Sequence, residues 1–117
     1  MATDFRSGHD FPRRGREEIG GYLWLARVFD KGRASHAGTI NDYIYPCPLD
    51  KGVFERWGIT PEAFDAALAS CDTDAKILAW VKARISDTQR ETANHWVRVD
   101  KAASLDKQDA EEGVVAA

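Results

Sequence analysis

This 117-residue sequence predicts an all-α fold, a single compact domain of four or five short helices packed at large angles. Three observations carry that prediction. Apolar residues recur at helical spacing, as in Tyr22, Leu25, Val28 and Phe29 and again in Ile77, Leu78, Trp80 and Val81. Thr60, Thr73 and Ser86 stand where helix N-caps belong. The alternating stretch Tyr43-Ile44-Tyr45 runs straight into Pro46, which argues against a central strand. A chain of this length buries about two thirds of its extended surface, so it needs no disulfide or metal to hold a core.

Taken in order, Met1 to Arg16 holds Gly8, Pro12, Gly15 and four Arg, which acids balance over residues 1–18, a composition that predicts an extended arm anchored by Phe5 and Phe11. The helical domain is expected over residues 17–103. Its first helix starts near Glu17 on the Tyr22, Leu25, Val28 and Phe29 stripe, which Trp24 widens, and stops at Gly38. Gly20 and Gly21 cost about 1 kcal/mol each against Ala in a helix interior, which implies close backbone packing or a frayed first turn. Residues 39–49 read as an irregular extended segment, because Pro46 and Pro48 hold Tyr45 and Cys47 away from helical angles.

Asp50 is the expected cap of a short helix ending at Gly58, with Leu49 and Phe54 as its hydrophobic staple. Thr60 caps the next, with Pro61 in the first position and an Ile59 to Phe64 staple, running to about Ser70. Thr73 caps a third that Ile85 extends. Ser86 and Gln89 form a capping box for a last helix whose buried face is Ala93, Trp96 and Val97. Beyond Ala103, acids and small residues predict a disordered tail over 104–117. The expected core is Tyr22, Leu25, Val28, Phe29, Phe54, Trp57, Phe64, Leu68, Ile77, Trp80, Val81 and Trp96.

The net charge of −3 disfavours nucleic-acid binding, which needs a concentrated Lys and Arg excess. Counted by segment, residues 19–34 carry a net +2, from Arg27, Lys31 and Arg33 against Asp30. No apolar run approaches a membrane span and the first twenty residues hold no apolar signal core, so a cytoplasmic protein without a membrane partner is expected. Cys47 and Cys71 form neither a CxxC pair nor a zinc knuckle, and both are expected reduced. His9, His36 and His95 show no ligand spacing, so no metal site is expected, and no cofactor motif is present.

On the first helix Arg27, Asp30, Lys31 and Ala34 share one face. That face reads in two ways. It is either a solvated ridge, with Asp30 pairing to Arg27 or Arg33, or one wall of a site for a phosphate or carboxylate held by Arg27, Lys31 and Arg33. Tyr43, Tyr45, Cys47 and Asp50 are then the other wall, because two phenols, a thiol and a carboxylate lie in one proline-restrained segment. The same residues also serve as fold determinants if Arg27 satisfies carbonyls of the irregular segment and takes Asp50 as its ionic partner.

Gly20 to Arg27, Asp30 to Ala34 and Tyr43 to Asp50 spell the combined pattern GGYxWLAR, DKxRA and YxYxCPLD. In this the chain resembles a bacterial family of small domains of unknown function, over about residues 12–98. Gly32 departs from the pattern, since a bulkier or helix-favouring residue is expected there. The resemblance implies a mostly helical cytoplasmic domain and no particular activity. Two functions follow from the residues. One is a non-enzymatic binding or interaction module, as a homodimer or with a protein partner; the other is a small-molecule site for an anionic ligand, catalytic or not. No residue pair of nucleophile and base selects an enzyme.

Overall fold

The structure, a computed structural model, describes residues 5–6, 11–41 and 43–112. Among these residues six α-helices follow one another: α1 (Leu25–Ala37), α2 (Pro48–Trp57), α3 (Pro61–Leu68), α4 (Asp74–Arg84), α5 (Asp87–His95) and α6 (Ala102–Glu111), with a π-helical turn (Trp96–Asp100) between the last two. No strand forms among the described residues; Ile19 and Tyr22 make an isolated bridge. No helix among them is long and apolar enough to cross a membrane.

The first helix starts later than its stripe suggests. Ile19 and Tyr22 exchange backbone hydrogen bonds of 3.3 and 3.1 Å around Gly20 and Gly21, both at positive φ (57° and 89°). Two adjacent residues at positive φ make a tight mirror-image turn, for which glycine is best suited. Trp24 then takes the left-handed conformation at φ 71°, unusual for a bulky residue, and α1 begins at Leu25. At the other end Gly38 adopts φ 74° and stops the helix as expected. Leu25, Ala26, Arg27, Val28, Phe29, Lys31, Gly32 and Ala34 are all buried, so α1 is enclosed on most sides. Gly32 has a reason: a Cβ there would run into Leu68 of α3 and approach Tyr45.

Residues 39–41 and 43–47 form no helix or strand, with turns at Asn41 and at Tyr45 and Pro46, and the Tyr45–Pro46 bond is cis. The cap of α2 is Cys47 in place of Asp50, with Pro48 in the first helical position and Asp50 one turn in. The caps of α3, α4 and α5 are as expected: Thr60, Thr73 and Ser86 accept from the backbone N–H three residues on at 3.1, 3.2 and 3.1 Å. Gln89 completes the capping box by accepting from Ser86 N at 2.9 Å.

The core is an aromatic chain. Tyr22 meets Trp57 edge-on at 6.4 Å, Trp57 meets Phe54, Phe54 meets Phe64 at 5.1 Å, and Phe64 meets Trp80 edge-on at 6.1 Å. These contacts join the 19–22 turn, α2, α3 and α4. Ten of the twelve expected core residues are buried; Trp80 and Trp96 are half-buried instead. Both rings carry a cation on an exposed face, Arg84 over Trp80 at 4.4 Å and Arg56 over Trp96 at 4.0 Å. Trp96 lies against Gly52, where a Cβ would overlap its ring.

Of the disordered tail expected over 104–117, residues 104–111 lie in the sixth helix, and 113–117 lie outside the described residues. Its Leu105 is buried at 1% exposure, and Arg16 ties it down through Asp106 at 2.8 Å, Asp109 at 3.3 Å and the Ala102 carbonyl at 3.2 Å. Acidic composition made this stretch look like a tail, but its acids have basic partners far away in sequence. At the other end Phe5 is buried, donates to the Thr39 carbonyl at 2.9 Å and meets Tyr43 edge-on, while Phe11 is exposed. Leu105→Ala should therefore lower unfolding stability by about 2 to 5 kcal/mol in urea denaturation. A loss under about 0.5 kcal/mol would mark residues 102–111 as a surface appendage.

Candidate functional site

Two polar constellations stand out, one buried and one open. In the buried one, Asp50 has no exposed surface and Lys31 is 3% exposed. Lys31 Nζ donates to Asp50 Oδ2 at 2.8 Å and to Cys47 Sγ at 3.2 Å. Trp24 Nε1 donates to Asp50 Oδ1 at 2.8 Å, and Cys47 N donates to Asp50 Oδ2 at 2.9 Å. Three donors thus converge on one carboxylate. Burying an ion pair costs several kcal/mol per charge in desolvation, and only such complete pairing offsets it.

Arg27 is not the partner of Asp50. Its guanidinium makes a bidentate pair with Glu112 at 3.1 and 2.6 Å, and lies over the Trp24 and Tyr43 rings at 5.8 Å each. Its Nε is buried without a hydrogen-bond partner among the described residues. Asp30 pairs with neither Arg27 nor Arg33; it takes Arg13 at 3.0 Å, whose other face holds Asp74 at 2.6 Å. Arg33 lies over Phe29 at 5.2 Å. Tyr45 donates to Asp65 at 2.6 Å, and burial followed by that bond pushes its phenol up. The structure thus brings Lys31, Cys47 and Asp50 together, joins Arg27 to Tyr43, and leaves Arg33 and Tyr45 with other partners. The reading of a solvated ridge does not survive, because Arg27 and Lys31 are buried.

The open constellation was not foreseen. A cleft of about 640 Å³ is lined by Gly21, Arg90, Glu91, Asn94, His95 and Arg98. Asn94 builds its wall: Oδ1 accepts from Leu23 N at 3.0 Å and Nδ2 donates to the Gly21 carbonyl at 2.8 Å, which clamps the glycine turn to α5. Arg90 lies over Tyr22 at 5.8 Å and bonds Asp87 at 3.3 Å. His95 and Arg98 are exposed, and neither side chain has a partner among the described residues. Arg98 sits in the π-helical turn, where Lys101 N reaches back to the Trp96 carbonyl at 3.0 Å. Such turns are rare and recur at functional sites. The i, i+4, i+8 spacing of Arg90, Asn94 and Arg98 was a visible signal. It does not stand out from the sequence, because Ala93, Trp96 and Val97 account for the helix pattern on their own.

Nothing among the described residues groups three His, Cys, Asp or Glu side chains as a metal site. His36 stands 3.8 Å from Asp65, and His9 lies outside the described residues.

The chain belongs to the DUF5069 family, a domain of unknown function, whose pattern matches residues 9–116. No curated protein matches it.

Tyr43 titrates as a reporter of the Arg27 and Glu112 pair. Burial, then the negative charge of Glu112, push its phenol from 10.0 up to about 12, with Arg27 opposing. The fold favours the neutral phenol, so this contribution is complete below pH 10 and lost as pH rises through about 12. Phenolate absorbance should show one step near pH 12 that Tyr43→Phe removes, and the variant should lose less stability across that window. A Tyr43 step at the ordinary value would contradict the packing.

Proposed function

We propose that this member of the DUF5069 family is a binding module for a small anionic ligand, seated in the cleft between the Gly20–Gly21 turn and α5 with its π-helical turn. The observation that carries the reading is the pairing deficit in that cleft. Arg98 and His95 line it with no partner of their own among the described residues, and Arg90, paired with Asp87 at 3.3 Å and 3.7 Å from Glu91, adds a second guanidinium. Guanidinium groups suit phosphate and carboxylate oxygens because their N–H donors form a planar fork. The lining holds no Ser, Thr, Cys or Lys, and the reading rests on ion binding by its guanidinium groups.

The alternative location, between α1 and residues 43–50, is less favourable. An anion there would have to displace Glu112 from Arg27 or Asp50 from Lys31, and both of those pairs are buried. The net charge of the whole chain, −3, further favours a small ligand at a local basic cleft over a polyanion.

Inorganic phosphate is the first probe. At about a hundredfold excess over its dissociation constant, a single bound anion stabilises a protein by about 2.7 kcal/mol, a rise of several degrees in Tm. Wild type should show that rise in phosphate relative to chloride at equal ionic strength. Arg98→Ala should lose it with its own Tm unchanged, since Arg98 supports nothing in the fold. Absence of the rise, or its full persistence in both Arg98→Ala and His95→Ala, would refute the cleft as the site.

A further inference from the structure

We infer that Cys47 and Lys31 become covalently joined through an S–N bond when a hydroperoxide oxidises Cys47. The two atoms that would join, Sγ and Nζ, already lie 3.2 Å apart. Their exposures differ in the way such chemistry needs. Cys47 is half-buried, whereas Lys31 is buried and held by Asp50. Asp50 holds Nζ at 2.8 Å, and the Asp50 N–H aims at Sγ from the first turn of α2 at 3.4 Å. Nitrogen, sulfur and carboxylate are therefore preset in one arrangement.

The steps balance. The Cys47 sulfur attacks one peroxide oxygen, so an S–O bond forms, the O–O bond breaks and one water leaves. Cys47 is now a sulfenic acid, oxidised by two electrons, and the peroxide has been reduced by the same two. Lys31 then passes one ammonium proton to Asp50, its hydrogen-bonded neighbour. The freed Nζ lone pair attacks Sγ, the S–O bond breaks, and the hydroxyl departs as a second water carrying another Nζ proton. Sulfenic acids condense with nearby nitrogen in this manner, and no further oxidant is required.

Charge makes the second step suitable for a buried site. A reaction that neutralised Lys31 alone would strand the Asp50 carboxylate without its counter-ion, a costly state. Here the proton moves from one partner to the other, and both charges vanish together. The product locks α1 to the start of α2, and a dithiol reverses it by attack on sulfur. Cys71 is buried and accepts from no lysine among the described residues, so it is expected to form no such bond.

Brief exposure of the folded protein to hydrogen peroxide, followed by peptide mass mapping, tests the inference. The expected product joins the peptides carrying residues 31 and 47, with a mass lower by two hydrogens than their sum, restored by dithiothreitol. In Lys31→Arg the sulfenic acid should instead persist and be trapped by dimedone. Cys47→Ser keeps a good N-cap and should show no joined peptide, which keeps the test valid if the lysine variant folds poorly. Wild-type Cys47 found unmodified, or as a sulfenic, sulfinic or disulfide species with Lys31 a free amine, would overturn the inference.

Discussion

The Asp50 carboxylate is where the chain's unusual features meet. It completes the cap of α2 by accepting from Cys47 N, receives the indole N–H of Trp24, and neutralises the Lys31 ammonium inside the domain. Trp24 itself sits in a left-handed conformation immediately before α1, with its N–H bonded to the Gly15 carbonyl at 2.7 Å. One carboxylate therefore couples the start of two helices and the strained residue between the glycine turn and α1. Gly15 belongs to the same unit, because a Cβ there would collide with the Trp24 ring.

Around that centre the arginines of the N-terminal segment act as long-range ties. Arg13 bridges α1 and α4 through Asp30 and Asp74, and Arg16 bridges to α6. Arg27 extends the pattern from α1 to Glu112 at the end of α6. Ion pairs at exposed sites contribute little, but the Arg27 pair is desolvated on both sides, 4% and 8% exposed, and includes two parallel bonds. The chain thus holds its last helix with only one fully buried apolar side chain, Leu105.

What could be read from sequence was whatever depended on neighbours in the chain. Thr60, Thr73, Ser86 with Gln89, and Gly38 act over three or four residues, and each stands where the structure uses it. The beginning of α1 could not be placed, because Tyr22 and Leu25 keep helical spacing whether Gly20 and Gly21 form a helix turn or a reversal. Asp50 was misplaced by one turn since cysteine is not a usual cap, although Pro48 in the next position marked the true start. The tail was misread because its stabilisers are Arg16 and Arg27, more than eighty residues away. The identification of Lys31, Cys47 and Asp50 as a cluster was legible. Their partners within it, and the cleft formed by Gly21 with α5, were not, since both depend on tertiary contacts.

A double-mutant cycle between Lys31 and Asp50, read by equilibrium denaturation, tests the central role of the buried pair most directly. Lys31→Met and Asp50→Asn should each cost about 3 to 5 kcal/mol, because each strands a buried charge. The double variant should cost less than their sum, with a coupling of about 2 kcal/mol or more. Single costs below about 1 kcal/mol, or costs that simply add, would show that the fold does not depend on this pair.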